Sequence, residues 1–202
     1  MDELVQQVKE LAAAASEDPL LGVSRSAFGA NAAAAESCRH VVLTGGEPML
    51  FAESIPLCQR LREAGFHITI ETAGTLHLPL ACDLMSISPK TANSTPDASE
   101  YPKWHDRHER TRHAPEVIRQ LVDQYAYQIK FVVAEPRDLE EVESWLTEFP
   151  EIAWEHVLLM PEGVTAERLS VIEEWLRPRC ESLGFGFCPR RHIEWFGSAR
   201  KT

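Results

Sequence analysis

Paired cysteine is missing from this chain. Of Cys38, Cys58, Cys82, Cys180 and Cys188, no two stand in C-x-x-C spacing and no three form a cluster-binding triplet. An odd, scattered set is no disulfide framework either, so these residues read as small buried hydrophobes. Cations are also scarce. With 20 Lys and Arg against 31 Asp and Glu, the net charge is −11. That argues against nonspecific nucleic-acid binding, which depends on Lys and Arg neutralising phosphates. A small anionic ligand held by a few local cations stays compatible with it. No apolar run reaches the ~18 residues of a membrane span. The first residues carry neither the basic start nor the apolar core of a signal peptide. Neither nucleic acid nor membrane is therefore an expected partner, and the expected location is cytoplasmic. Internal repeats are missing, as are low-complexity tracts beyond a few alanines.

What is present suffices for one sizeable core: 202 residues, 44% of them hydrophobic, read as one domain over residues 1–202. "MDELVQQVKELAAAA" places Leu4, Val5, Val8, Leu11 and Ala12 at helical spacing. Residues 16–37 are small and mixed, and read as a loop with a short helix. Strands and helices then alternate. "HVVL", "FHITIE", "DLMSIS", "YQIKFVV" and "HVLLM" read as strands, and "GFGFCPRRHIEW" as a last strand region. "LFAESIPLCQRLREAG", "APEVIRQLVDQ", "PRDLEEVESWLTEFP" and "TAERLSVIEEWLRPRC" read as helices. The alternation implies an α/β fold with a parallel sheet and right-handed crossovers. Strands apolar nearly throughout predict a sheet covered on both faces. Periodicity leaves two architectures open, a doubly wound open sheet and a barrel or partial barrel.

Polar residues and glycines follow the apolar runs. Thr44-Gly45-Gly46-Glu47 follows "HVVL", Glu71 to Thr75 follows "HITI", and Ser88-Pro89-Lys90 follows "LMSI". Met160-Pro161-Glu162-Gly163 follows "HVLL", and Arg190, Arg191 and His192 flank the last strand region. In parallel α/β folds strand C-termini share one rim, where ligands bind. Thr44 to Glu47 has two readings. Thr-x-x-Glu before an apolar helix spells a capping box, which leaves the glycine pair unexplained. Alternatively, the glycines let backbone groups approach a ligand closely while the glutamate accepts from a cationic group. Lys90 at the rim suits a carboxylate ligand. Lys130, inside a strand, points into a polar interior or snorkels outward. It or Lys90 would also serve a barrel lyase or aldolase as a Schiff-base amine. His105, His108 and His113 lie in a charged stretch without helical support, and read as a lid over the rim rather than a metal site.

"LTGGEPML", "IETAGT", "SISPK", "YQIKFVV", "VLLMPEG" and "CPRRHIEWFG", in this order, resemble the 7-carboxy-7-deazaguanine synthases, radical S-adenosylmethionine enzymes of deazapurine (queuosine) biosynthesis. The likeness runs from about Cys38 to Thr202. It implies a partial (β/α) barrel of the radical S-adenosylmethionine type. It also implies a lyase reaction that converts 6-carboxy-5,6,7,8-tetrahydropterin to 7-carboxy-7-deazaguanine. Its cofactors are S-adenosylmethionine, a [4Fe–4S] cluster and Mg²⁺, and its chemistry starts from a 5′-deoxyadenosyl radical. By the same resemblance Gly45, Gly46 and Glu47 meet the methionine amino group, and Thr72 contacts the substrate. Gly74, Ser88, Pro89, Lys90, Leu159, Met160, Pro161 and Glu162 line the cofactor. Partners implied are the carboxypterin, a second copy of the chain and an electron donor such as flavodoxin.

One departure stands out. The family's C-x-x-x-C-x-x-C loop, the Mg²⁺ residue after it and the substrate contacts before it have no counterpart here, so no metal ligand is assigned. The opening helix resembles the one that follows that loop. The reading is thus of a core lacking its first strand and cluster loop, through a truncated start or through loss of the chemistry. It predicts a chain that does not turn over alone and that self-associates through an exposed edge. The alternative function is a non-catalytic scaffold binding S-adenosylmethionine or a pterin.

Overall fold

The structure, a computed structural model, describes residues 1–17 and 38–197. Of the loop and short helix expected over residues 16–37, Ser16 and Glu17 instead end the first helix, and the rest lies outside the described residues. A helix α1 (Asp2–Glu17) precedes six strands: β1 (His40–Leu43), β2 (His67–Thr72), β3 (Leu84–Ile87), β4 (Tyr127–Val133), β5 (Val157–Pro161) and β6 (Gly186–Phe187). Helix α2 (Ser54–Glu63) joins β1 to β2, and α3 (Pro102–Thr111) and α4 (Pro115–Gln124) join β3 to β4. Helix α5 (Pro136–Thr147) leads to β5, α6 (Ala166–Leu183) to β6, and α7 (Arg191–Phe196) follows β6.

All pairings are parallel and the strand order is sequential, β1 to β6. This decides between the two architectures. With right-handed crossovers, a sheet that never reverses its order puts every crossover helix on one face. A doubly wound sheet needs a reversal. Accordingly α2 packs on β2, α5 on β4, and α6 on β5 and β6. The sheet is wound in one direction, as in part of a (β/α) barrel.

The expectation of two covered faces is corrected by the same winding. Burial alternates along β2, β4 and β5. Ile68, Ile70, Met85, Ile87, Ile129, Phe131, Val157 and Leu159 have no exposed surface and form the outer, helix-covered face. Thr69, Glu71, Gln128, Lys130, Leu158 and Met160 occupy the half-exposed inner face.

Three local readings also change. The helix expected from Leu50 is a 3₁₀ turn, Pro48–Leu50, followed by α2 from Ser54. Phe51 is extended between them, and Pro56 falls in α2's first turn, where a missing N–H is harmless. The last strand region yields only two strand residues, because Pro189 cannot donate to a ladder. The histidine stretch is a helix, α3, opened by Pro102 at its first position.

Candidate functional site

The turn from Thr44 to Glu47 stands at the C-terminal end of β1, braced at both ends by the end of β2. At one end Glu47 accepts from Thr72 Oγ1 (2.8 and 2.9 Å to its two oxygens), from the Ala73 amide (2.9 Å) and from the Met49 amide (3.2 Å). At the other, Thr44 Oγ1 donates to Glu71 Oε2 at 2.9 Å. This overturns the capping-box reading: Thr44 reaches across to β2, and Glu47 itself caps the 3₁₀ turn. Between the braces, Gly45 and Gly46 have φ of 98° and 60°, and a Cβ on either would meet nothing within 4 Å. Left-handed φ favours glycine here. The open space beside the pair leaves room for a ligand against bare backbone.

Glu47 retains acceptor capacity. Two amide donors and one hydroxyl proton occupy three of a carboxylate's four acceptor positions, because Thr72 has a single proton to share between the oxygens. Thr72, 4% exposed, also accepts from the Gly74 amide at 3.0 Å.

A second network lies on the inner face. Lys130 Nζ is 2.7 Å from Glu71 Oε1, and Gln128 Nε2 donates to Ser86 Oγ at 2.9 Å. Lys130 therefore points into the polar interior rather than snorkelling. An ammonium tied to a carboxylate is not the free amine that a Schiff base requires. Burial pushes the Glu71 carboxyl up. The hydrogen bond and charge of Lys130, then Thr44 and the charge of Lys90, outweigh it, and its pKa lies below the usual value. Lys90 is exposed as a residue, yet its ammonium is lowered, first by partial desolvation and then by the like charge of Lys130. Cys188 also borders this group. Burial raises its thiol pKa, with smaller effects from Lys130, Glu71 and Arg190.

The remaining sequence candidates divide. Ser88 Oγ donates to the Lys130 carbonyl at 2.9 Å, and Pro89 is buried beside it in the chain. Arg112 fastens α3 to the rim by donating to the Lys90 carbonyl at 3.1 Å and to Glu141 at 3.0 Å. Met160 faces the inner side. Leu159 and Pro161 turn their side chains into the outer core, so only their backbones are available to a ligand. Glu162 lies 3.6 Å from Arg168. Gly74 is buried with φ of 72°, and a Cβ there would stand 2.4 Å from Ile118 Cδ1. Packing alone accounts for that glycine. The three histidines go separate ways: His105 to the Pro96 carbonyl, His108 to Ser94 and Thr95, His113 to Glu148. Among the described residues, no group of three or more His, Cys, Asp or Glu is placed to hold a metal ion. Sequence reasoning did not find the Thr44–Glu71–Lys130 link. Its signal was the alternation in "HITIET", which sets Glu71 in phase with Thr69 and against the isoleucines.

A one-way parallel sheet whose strand C-termini gather Thr44, Glu47, Glu71, Ser88 and Lys90, with Lys130 reaching Glu71 from inside β4, defines a class: α/β proteins of the barrel type with a candidate ligand site on that rim. The comparisons narrow the class. No protein-family model matches the chain. It is 42% identical over 165 residues to the 7-carboxy-7-deazaguanine synthase of Rhodopirellula baltica, covering 81% of this chain and 64% of that protein. It is 40% identical over 176 residues to that of Halobacterium salinarum, covering 83% and 68%. The chain thus spans about two thirds of the length of these curated relatives. Among solved structures, QueE from Escherichia coli shares the fold, with a TM-score of 0.51 at 23% identity over 87% of this chain and 63% of that one. The chain belongs to the 7-carboxy-7-deazaguanine synthase family.

Proposed function

We propose that the rim binds S-adenosylmethionine and a carboxypterin, and that the protein acts in converting 6-carboxy-5,6,7,8-tetrahydropterin to 7-carboxy-7-deazaguanine, as a lyase of the radical S-adenosylmethionine type. The observation that carries this reading is the braced turn with its open glycine pair beside a carboxylate that still has an acceptor position. An ammonium has three donors and no acceptor. Backbone carbonyls of Gly45 and Gly46 together with Glu47 supply the acceptors it needs, in a spot where no side chain intervenes. Ser88, Pro89, Lys90 and the backbone from Leu159 to Glu162 extend the cofactor groove in this reading, while Gly74 lets the chain pass against Ile87 and Ile118 beneath it. Thr72 fixes Glu47 at the substrate side. When bound, S-adenosylmethionine supplies the hydrogen-abstracting group. Flavodoxin-like electron donors, a second copy of the chain and a cytoplasmic setting belong to the same reading.

The described cysteines do not fit an iron–sulfur cluster. Burial pushes Cys82 up to about 12 and Cys180 up to about 11, and raises Cys58. Among the described residues these thiols are also not gathered, with no three His, Cys, Asp or Glu placed to share a metal ion, whereas a cluster needs several thiolates together. In this reading the described rim residues bind and orient the ligands.

Calorimetric titration of the whole chain with S-adenosylmethionine, then with 6-carboxypterin, tests the proposal. Saturable binding of the first ligand is expected. Gly46→Val, which adds a branched side chain at φ of 60°, is expected to weaken it at least about tenfold. Absence of saturable heat with the wild type, or equal affinity in the variant, would overturn the assignment.

A further inference from the structure

Lys130 and Glu71 have no part in the ligand contacts just assigned, yet they are joined to the glycine turn by an unbroken path. Lys130 sits on β4 and Glu71 on β2, with β3 between them. The inner-face residue of β3 at that level and the residue just past the strand are both serines. Ser86 is in register with Glu71, and Ser88 donates to the Lys130 carbonyl. Two long side chains can therefore meet above β3, Nζ to Oε1 at 2.7 Å, and the second oxygen of Glu71 goes to Thr44 at 2.9 Å. Lys130 is 14% exposed. An ammonium removed from water to that degree is retained only where it is paired. Replacing such a pair as a whole by apolar residues of similar volume is often neutral for stability. Stability alone does not explain a lysine there.

We propose that Lys130 is a positioning residue: through Glu71 and Thr44 it holds the Gly45–Gly46 turn in the form that receives the ammonium-bearing cofactor. The inference rests on the ligand assignment above. Each end of the turn then has its own anchor on the end of β2. Thr72 and Ala73 hold Glu47, and the Lys130-held Glu71 holds Thr44. A Cβ on either of the two glycines between them would meet nothing within 4 Å, so no neighbouring side chain packs over that face of the turn. Loosening either anchor releases left-handed residues that have many other conformations.

Charge and positioning predict opposite signs, which makes the proposal testable. By charge alone, Lys130→Met leaves Glu71 unneutralised and tightens an ammonium ligand, while Glu71→Gln weakens it. Positioning predicts that both weaken it, by about fivefold or more, the scale of coupling within one partly buried network. It also predicts that the double variant is no worse than either single one by more than about twofold. Lys130→Arg, which keeps the charge, is expected to retain most of the affinity. The measurements are calorimetric titration with S-adenosylmethionine and amide hydrogen exchange of the 44–51 peptide, both on the full chain. Exchange needs no ligand and is expected to quicken in Lys130→Met and Glu71→Gln alike. Tighter or unchanged binding in Lys130→Met, additive losses in the double variant, or unaltered exchange would each overturn the proposal. A wild type that fails to bind S-adenosylmethionine would sink the ligand assignment instead, and exchange would still decide the positioning role. Should Lys130→Met fail to fold, the near-isosteric Glu71→Gln carries the exchange readout, which loss of charge alone leaves unchanged.

Discussion

Residues 130 and 131 are neighbours on β4, yet they belong to different worlds. Phe131 has no exposed surface. It meets Trp145 edge-on at 5.1 Å between ring centroids, and Trp145 in turn stacks on Phe149 at 4.1 Å. Lys130, one step along the chain, faces the inner side and holds Glu71. The same division runs through β2, where Ile70 is fully buried and Glu71 is not. The outer face is a nondirectional apolar contact that any well-shaped hydrophobe satisfies. The inner face carries directed bonds at Glu71, Gln128 and Lys130, each with a named partner. The first decides whether the sheet forms, and the second decides what its rim can hold.

The sharpest way to break this comparison is to truncate one neighbour at a time. Phe131→Ala empties a packed aromatic site and is expected to lose about 3–5 kcal/mol, read as a lowered denaturant midpoint. Lys130→Met should stay within about 1 kcal/mol of wild type, because the pair is only partly buried and the methionine stem still packs. Comparable losses for the two would mean that the inner network holds the fold as well as the rim.

Gly74 tests where the boundary between the faces lies. It follows the inner residues of β2 in sequence, but its neighbours are Ile118 on α4 and Ile87 on β3. A Cβ would stand 2.8 Å from Ile87 Cγ2, in a residue with φ of 72°. Left-handed strain and overpacking together are expected to cost Gly74→Ala about 2–4 kcal/mol, seen in the same denaturant titration. If the variant kept its stability and lost only ligand binding, Gly74 would belong to the rim site and not to the outer core.

The outer face was the legible half. "HVVL" and "YQIKFVV" are bounded by turn residues, and both strands appear with the ends that the runs imply. The parallel order and the rim position of Thr44 to Glu47 and Ser88 to Lys90 followed from the alternation of elements. Helix α3 did not, because it has no buried residue and hence no apolar stripe to read. The partners in the inner network were hidden for a different reason. Glu47 and Thr72 are 25 residues apart, and Glu71 and Lys130 are 59 apart. No local pattern encodes a bond that exists only once β2 lies between β1 and β3. The capping-box reading failed on this point, since it sought the partner of Thr44 three residues away rather than on the next strand.

The smallest expected effect is electrostatic and bears on the inner face alone. The Glu71 carboxyl has a pKa below its ordinary value: burial works against the charge, and Lys130, Thr44 and Lys90 more than compensate. A folded pKa below the unfolded value, ~4.3 for glutamate, means stability that is present above that value and is lost as pH falls through the folded pKa. Glu71 is 38% exposed, so after solvent screening the contribution is less than about 1 kcal/mol. The stability gap between wild type and Glu71→Gln is therefore expected to be small and constant above about pH 5.5. It should close toward about pH 3. Taking the difference cancels the other acidic groups whose pKa is lowered, Asp97 and Glu109, because both proteins carry them. Thermal melts at matched ionic strength from pH 6 to pH 3 would measure it. A gap that widened on acidification would mean that the neutral acid is the better partner. Burial rather than Lys130 would then govern Glu71, and the inner face would obey the same rule as the outer one.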